Sequence, residues 1–322
     1  MKPPLLTVAF LSWNRLHYLR ATVESARRCI RYPAIEWIVS DNESRENGLR
    51  EYIESLDWVG NKWFRTQTHA SAMNEIVARA SGKYLLIWPE DVQFVVEGDW
   101  MERLIETLEA HPEIGSVGLN FLRRKTYRRL LGPPRFGDLV PALAEWRRRG
   151  RGFRVPHTIS SPIALRTLGW RVPGVIASGI PSLTPIDHWR KLGPWRTTDA
   201  TQSNIVDSSL GAEDAMIARF QESGELWQQA LLMVPVAADI INDSIGCKAK
   251  IRRGKRYGIY SPPNDGPFYY EILQAGTLGS PGGELPLGFE ETVRPIGFDL
   301  PLDAEGNLLK ASINTSVVAE VG

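Results

Sequence analysis

The 322 residues are 43% hydrophobic and 23% charged, carry a formal net charge of +1 and hold two cysteines. That profile is the profile of an ordinary globular chain, long enough for one large α/β domain with an appendage or for two modest domains; it excludes global disorder and gives no whole-protein argument for binding nucleic acid. Cys29 and Cys247 are too few for a disulfide framework or a cysteine-rich zinc site, which fits a reducing compartment.

Charge is unevenly spread. Residues 122–154 hold eleven Lys/Arg against two acids, and residues 247–258 hold six Lys/Arg and no acid. Both segments suit an anionic partner, although a solvated face is the default reading of 122–154. The opening apolar run, Leu5 to Trp13, lacks a basic flank and a small-residue cleavage site and reads as a strand, not a signal peptide. No run approaches eighteen apolar residues, so no membrane-spanning helix is expected.

In chain order, Leu5–Leu11 reads as a strand leaving through Ser12-Trp13-Asn14-Arg15. Leu16–Cys29 follows as a helix, with Leu16, Leu19, Val23 and Ala26 on one face and Arg20, Glu24, Arg27 and Arg28 on the other. A strand over Ile35–Val39 ends in the turn residues Ser40-Asp41-Asn42-Glu43-Ser44. A helix over 47–56, a strand over 63–66 and a helix over 71–80 lead to the apolar run Tyr84-Leu85-Leu86-Ile87-Trp88. Pro89 stops that strand because it cannot donate to a ladder, and two carboxylates, Glu90 and Asp91, come next. Strand–helix alternation of this kind predicts an open, mostly parallel α/β sheet flanked by helices, Rossmann-like in plan, with ligands at the carboxyl ends of its strands. Asp41 and Asp91 are expected on neighbouring strand ends. No glycine-rich phosphate loop follows the first strand, so a metal ion or basic residues must handle any phosphate.

Helix 99–110 and strand 114–121 come next, and residues 122–154 read as an exposed, arginine-rich insert. The second half offers a strand over 176–180, the run Pro181-Ser182-Leu183-Thr184-Pro185, a helix Ile186–Leu192 closed by Gly193-Pro194, and a strand over 231–241. Between them, Gly211 leads into Glu213 and Asp214 in the first turn of a helix. Taken alone, acids there read as plain helix capping, with chemistry as the alternative. Beyond Pro262 the chain is rich in proline and glycine, with a hairpin expected over 300–312. The expected division is residues 1–262 as one domain and 263–322 as an extension.

Four ordered stretches carry a family likeness: TVAFLSWNRLHYLRATVESARR, IVSDNES, SAMNEIVARASGKYLLIWPED, and IPSLTPIDHWRKLGPW with GAEDAMIARF. Together they resemble family-2 glycosyltransferases of the GT-A fold across roughly residues 5–258. The resemblance implies transfer of a sugar from a nucleotide-diphosphate sugar to an acceptor hydroxyl with inversion. It implies Asp214 as general base, with Glu213 beside it, and Asp91 and Glu90 as ligands of Mn2+ or Mg2+. Nucleotide-sugar contacts are implied for Ser12, Trp13, Asn14, Arg15, Asp41, Asn74 and Glu90, with Lys248, Arg252 and Arg253 folding over the diphosphate. Trp88, Trp100, Trp189 and Trp195 offer either acceptor-stacking platforms or core. The implied acceptor is a glycan, a lipid-linked sugar or a protein, as in polysaccharide biosynthesis. The expected setting is the cytoplasm, with the basic segments suited to a peripheral contact with an anionic membrane.

Two departures stand out. The family's Asp-x-Asp is here Glu90-Asp91-Val92-Gln93, and the histidine that often precedes an Ile-Gly is replaced by Ser244. They leave open a non-catalytic module that binds sugar nucleotides or glycans, and another nucleotide-dependent transferase remains a third reading.

Overall fold

The computed structural model describes residues 5–13, 16–65, 67–90, 92–94, 96–119, 157–167, 182–197, 216, 219–220, 222–223, 225, 227–232, 236–239 and 294–295. The strands are β1 (Leu6–Ser12), β2 (Ile35–Asp41), β3 (Asn61–Phe64), β4 (Tyr84–Pro89), β5 (Val92–Phe94), β6 (Val96–Glu97), β7 (Ile114–Gly118), β8 (Thr158–Ile159), β9 (Leu165–Thr167), β10 (Ser182–Pro185), β11 (Gln228–Leu232), β12 (Ala237–Asp239) and β13 (Arg294–Pro295). The helices are α1 (Leu16–Cys29), α2 (Leu49–Ser55), α3 (His69–Arg79), α4 (Trp100–Ala110) and α5 (Ile186–Leu192).

Among the described residues the main sheet has nine strands in the order β3-β2-β1-β4-β10-β7-β11-β9-β8. β3, β2, β1 and β4 run parallel, β10 runs against both β4 and β7, β11 is parallel to β7, and β9 turns back against β11. This is the open, mostly parallel α/β sheet expected for the GT-A fold. Two pairs of antiparallel strands stand apart from it, β12 with β5 and β13 with β6.

Strand alternation explains how both faces are covered. In β1, Leu6, Val8 and Phe10 point to a core shared with Leu19, Val23 and Ala26 of α1, Leu49 and Ile53 of α2, and Leu104, Ile105 and Leu108 of α4. Ala9 and Leu11 point to the other face, where Met73 and Ile76 of α3 and Ile186, Trp189 and Leu192 of α5 pack. A sheet buried on both faces needs near-continuous apolar strands, and LLIW in β4 is that pattern. On α1 the four charged residues Arg20, Glu24, Arg27 and Arg28 are exposed, opposite the buried stripe.

Several expectations need correction. Asp41 and Glu90-Asp91 do not follow neighbouring strands, because β1 lies between β2 and β4. The apolar run 231–241 is not one strand: β11 joins the main sheet and β12 pairs with β5. Proline at position 235 lacks the N–H an uninterrupted ladder needs. Of the two readings of Trp88, Trp100, Trp189 and Trp195, the core one holds, since all four are buried. The insert 122–154, the strand 176–180 and the hairpin 300–312 lie outside the described residues. Among the described residues no helix is long and apolar enough to cross a membrane.

Candidate functional site

The carboxyl ends of β3, β2, β1 and β4 form one level edge. Ser12 stands opposite Asp41 and Asp41 opposite Phe64, while Leu11 stands opposite Pro89, which puts Glu90 at the height of Ser12. Two strand spacings, about 10 Å, therefore separate the backbones of Asp41 and Glu90. An extended ligand lying across β1 fits that span better than a single ion shared by both.

Asp41 is 1% exposed, and its carboxylate closes the loop behind it. Oδ2 accepts from Ser44 N at 2.8 Å and Oδ1 from Ser44 Oγ at 2.5 Å. Those bonds close the chain over Glu43, which sits in the left-handed region at φ 47°. The loop is stitched to its neighbours at three further points. Asn42 N donates to Ser12 O at 2.9 Å, Gln67 N donates to Asn42 Oδ1 at 2.7 Å, and Leu16 N donates to Glu46 Oε2 at 3.0 Å. The last bond gives one of the orphan N–H groups at the start of α1 an acceptor. Ser12 Oγ is buried without a hydrogen-bond partner among the described residues. Each Asp41 oxygen keeps a second lone pair for a donor on a ligand. Trp13 is half-buried at the strand exit.

Glu90 is 6% exposed and opens the turn after β4. Thr22 Oγ1 of α1 donates to its carbonyl at 2.7 Å, and Trp88 Nε1 donates across the turn to Val92 O at 2.7 Å. Trp88 stacks on Phe94 with ring centres 4.1 Å apart, and Phe94 on Trp100 at 6.0 Å, so an aromatic column supports the turn from within the core. Among the described residues no group of three or more His, Cys, Asp or Glu side chains forms a metal site.

Asn74 is bonded to the backbone of Trp195. Its Nδ2 donates to Trp195 O at 2.8 Å and its Oδ1 accepts from Trp195 N at 2.7 Å, which fastens α3 to the segment after α5. Asn14, Arg15, Asp91, Glu213, Asp214, Lys248, Arg252 and Arg253 lie outside the described residues. Ser12, Asp41 and Glu90 are thus the expected site residues that the described structure brings together. Sequence reading passed over Asn42, Gln67, Thr22 and Ser25. The Asp-Asn-x-Ser turn signalled the first of these, whereas the helix hydroxyls gave no local signal.

Three groups with perturbed ionisation, Tyr84, Glu109 and His188, lie at the opposite, amino-terminal edge of the sheet. Burial pushes the Tyr84 phenol up, reinforced by its hydrogen bond to Glu109. Burial acts upward on Glu109 as well, but hydrogen bonds from Lys83 and Tyr84 outweigh it and hold the carboxyl below its usual value. Burial depresses His188, whose Nδ1 lies 3.0 Å from Gly115 O and whose ring stacks on Trp227 at 3.7 Å. These groups knit packing together and stand away from the Ser12–Asp41–Glu90 edge.

Protein y4gI of Sinorhizobium fredii (strain NBRC 101917 / NGR234), itself uncharacterized, is 29% identical over 126 residues, covering 36% of this chain and 13% of that protein. The chain therefore spans only a small part of that relative's length. Among solved structures, the mannosyltransferase PcManGT from Pyrobaculum calidifontis, in complex with GDP-Man and Mn2+, is 18% identical with a TM-score of 0.48, covering 86% of this chain and 72% of that one. Glucosyl-3-phosphoglycerate synthase from Mycobacterium tuberculosis, in complex with Mn2+, UDP and glucosyl-3-phosphoglycerate, is 14% identical with a TM-score of 0.47, covering 77% and 76%. The family model described as glycosyl transferase family 2 matches residues 7–168, half of the chain and the span from β1 to β9. The chain belongs to glycosyl transferase family 2.

Proposed function

We propose that this protein transfers a sugar from a nucleotide-diphosphate sugar to the hydroxyl of a glycan, lipid-linked or protein acceptor, with inversion at the anomeric carbon. The observation that carries the reading is the polar edge Ser12–Asp41–Glu90, set at the carboxyl ends of β1, β2 and β4 within the span that matches the family. Asp41 meets the nucleoside, with Ser12, Trp13, Asn14 and Arg15 lining the same side. Asn74 supports the site through its bracket to the Trp195 backbone.

The reaction needs a base, a bound donor and a stabilised leaving group. Asp214, with Glu213 beside it, takes the proton from the acceptor hydroxyl as that oxygen bonds to the anomeric carbon. The bond from that carbon to the diphosphate breaks, and the electron pair leaves on the diphosphate oxygen. Adjacent carboxylates at the end of β4 are hard oxygen donors and fit a Mg2+ or Mn2+ ion in kind. Glu90 and Asp91 would hold that ion, whose chemistry is to neutralise the charge gathering on the leaving diphosphate. Lys248, Arg252 and Arg253 add positive charge to the same group.

Replacing Asp214 by Asn tests the base. Transfer is expected to fall by about 10²- to 10⁴-fold, with donor affinity little changed. Unchanged turnover would remove Asp214 from this role. The altered acidic motif, Glu90-Asp91-Val92-Gln93, favours a second reading, a module that binds sugar nucleotides or glycans without turning them over. Calorimetry with nucleotide sugars, run alongside a search for slow hydrolysis, separates the two.

A further inference from the structure

We infer that Thr22 and Ser25 of α1 are positioning residues for the Glu90 turn, fixing the height and orientation at which its carboxylate is presented. The inference rests on the reading of Glu90 as a carboxylate that meets the donor's metal or diphosphate.

Hydroxyls inside a helix ordinarily turn back to a carbonyl three or four residues earlier. Thr107 of α4 does so, donating to Arg103 O at 2.8 Å. Thr22 does not. Its Oγ1 reaches out of the helix to the carbonyl of Glu90, 68 residues away, at 2.7 Å. Ser25, three residues on and so on the same helix face, donates to Thr22 O at 2.9 Å and accepts from Phe94 N at 3.1 Å. Two neighbouring hydroxyls thus take one carbonyl and one N–H of a single five-residue stretch, 90–94. Both are buried.

Among the described residues, β12 also supports the stretch. Across β5 its partner is β12, with Ala237 opposite Phe94 and Asp239 opposite Val92. On its inner side Val92 O goes to the Trp88 indole and Phe94 N to Ser25. α1 therefore supplies the inner wall against which the turn is shaped. The direction of a side chain from its Cα is set by the adjoining peptide planes, so holding the Glu90 carbonyl holds the carboxylate's point of departure. Groups one shell out from a metal ligand commonly matter for metal affinity by about 10- to 100-fold.

The test compares full-length Thr22→Val, Thr22→Ser, Ser25→Ala and the remote control Thr107→Val. Two quantities are read: amide exchange over 90–94 by mass spectrometry, and the affinity for Mn2+ alone from water-proton relaxation. Thr22→Val is expected to speed exchange in 90–94 and weaken Mn2+ binding about tenfold, and Thr22→Ser to restore both. Ser25→Ala should behave like Thr22→Val and decides the question should that variant not fold. Thr107→Val should lower thermal stability and leave both quantities as in the wild type. Unchanged exchange over 90–94 in Thr22→Val and Ser25→Ala overturns the inference, as does unaltered Mn2+ affinity in variants of a wild type that binds the ion. A wild type that binds no Mn2+ refutes the metal reading of Glu90 by itself, and the exchange measurement still decides whether α1 holds the turn.

Discussion

At the scale of single residues, buried polar groups have two destinations in this molecule. At the carboxyl edge, Asp41 spends its inner lone pairs on Ser44 and Glu90 opens a turn held by Thr22. At the amino edge, His188 lies between Gly115 O and the Trp227 ring. The bond to a carbonyl requires a proton on Nδ1, so acidification adds the second proton at Nε2 inside a packed stack. Burial lowers its pKa from 6.5, the Gly115 carbonyl and the carboxylates of Glu225 and Asp187 oppose that shift, and Lys191 adds to it. Lys191 is itself paired with Glu225 at 2.5 Å, which blunts both. The sign follows from linkage: with a folded pKa below the unfolded one, the unfolded chain binds the proton more readily. The stabilisation is full above pH 6.5 and is lost as pH falls through the window below it. Melting curves of wild type and His188→Gln between pH 7.5 and about 5 should show the gap narrowing with acid. A gap that stays constant would mean His188 is not held neutral by its surroundings.

At the scale of elements, the same corner shows why some geometry is written locally and some is not. β7 and β11 pair with a slip: Gln228 stands opposite Ile114 and Gln229 opposite Ser116, leaving Gly115 as the extra residue of a bulge. The carbonyl of that residue is the one His188 takes. A Cβ at Gly115 would lie 2.4 Å from Trp227 Cβ and 3.1 Å from its Cγ, against the root of a side chain that cannot swing away. Gly115→Ala is therefore expected to cost about 1–3 kcal/mol by overpacking, read from denaturant unfolding. A loss below about 0.5 kcal/mol, the range of a neutral surface change, would show that the bulge opens freely.

Glycine 115 did not announce this role in the sequence, because the bulge exists only where a strand from residue 228 arrives. The same logic divides the rest. Helix α1 was legible to its ends, since Leu16, Leu19, Val23 and Ala26 define one stripe and Arg27 and Arg28 suit its last turn. The parallel strands β1, β2 and β4 were legible from their apolar runs, and the polar exits at Ser12, Asp41 and Glu90 marked the carboxyl edge where the candidate site lies. Strand order was not. Nothing local tells that β1 stands between β2 and β4 or that β10 runs against both its neighbours. Nor could β5 and β6, three and two residues long, be read as strands, because their partners lie more than a hundred residues away. Thr22 and Ser25 resembled ordinary helix hydroxyls for the same reason: their partners are tertiary.

At the scale of the whole molecule, the turn after β4 is where distant parts of the chain meet. α1 holds it from inside, β12 pairs with β5, and β13 at Arg294–Pro295 pairs with β6. Glu97 of β6 is in turn bonded to Arg28 and Arg31. The division at residue 262 drawn from composition therefore separates two strands, β6 and β13, that pair with each other. In the proposed reaction this meeting point adjoins the diphosphate, so β13 has a route to influence donor binding.

Nucleotide-sugar-dependent transfer is tested by the release of nucleoside diphosphate from a panel of nucleotide sugars, with and without Mn2+. One donor is expected to be consumed, with slow hydrolysis in the absence of acceptor, and Asp214→Asn to slow transfer to the acceptor by about 10²- to 10⁴-fold. Binding of a nucleotide sugar with no release under any condition, or release of pyrophosphate from a nucleoside triphosphate in its place, would contradict it.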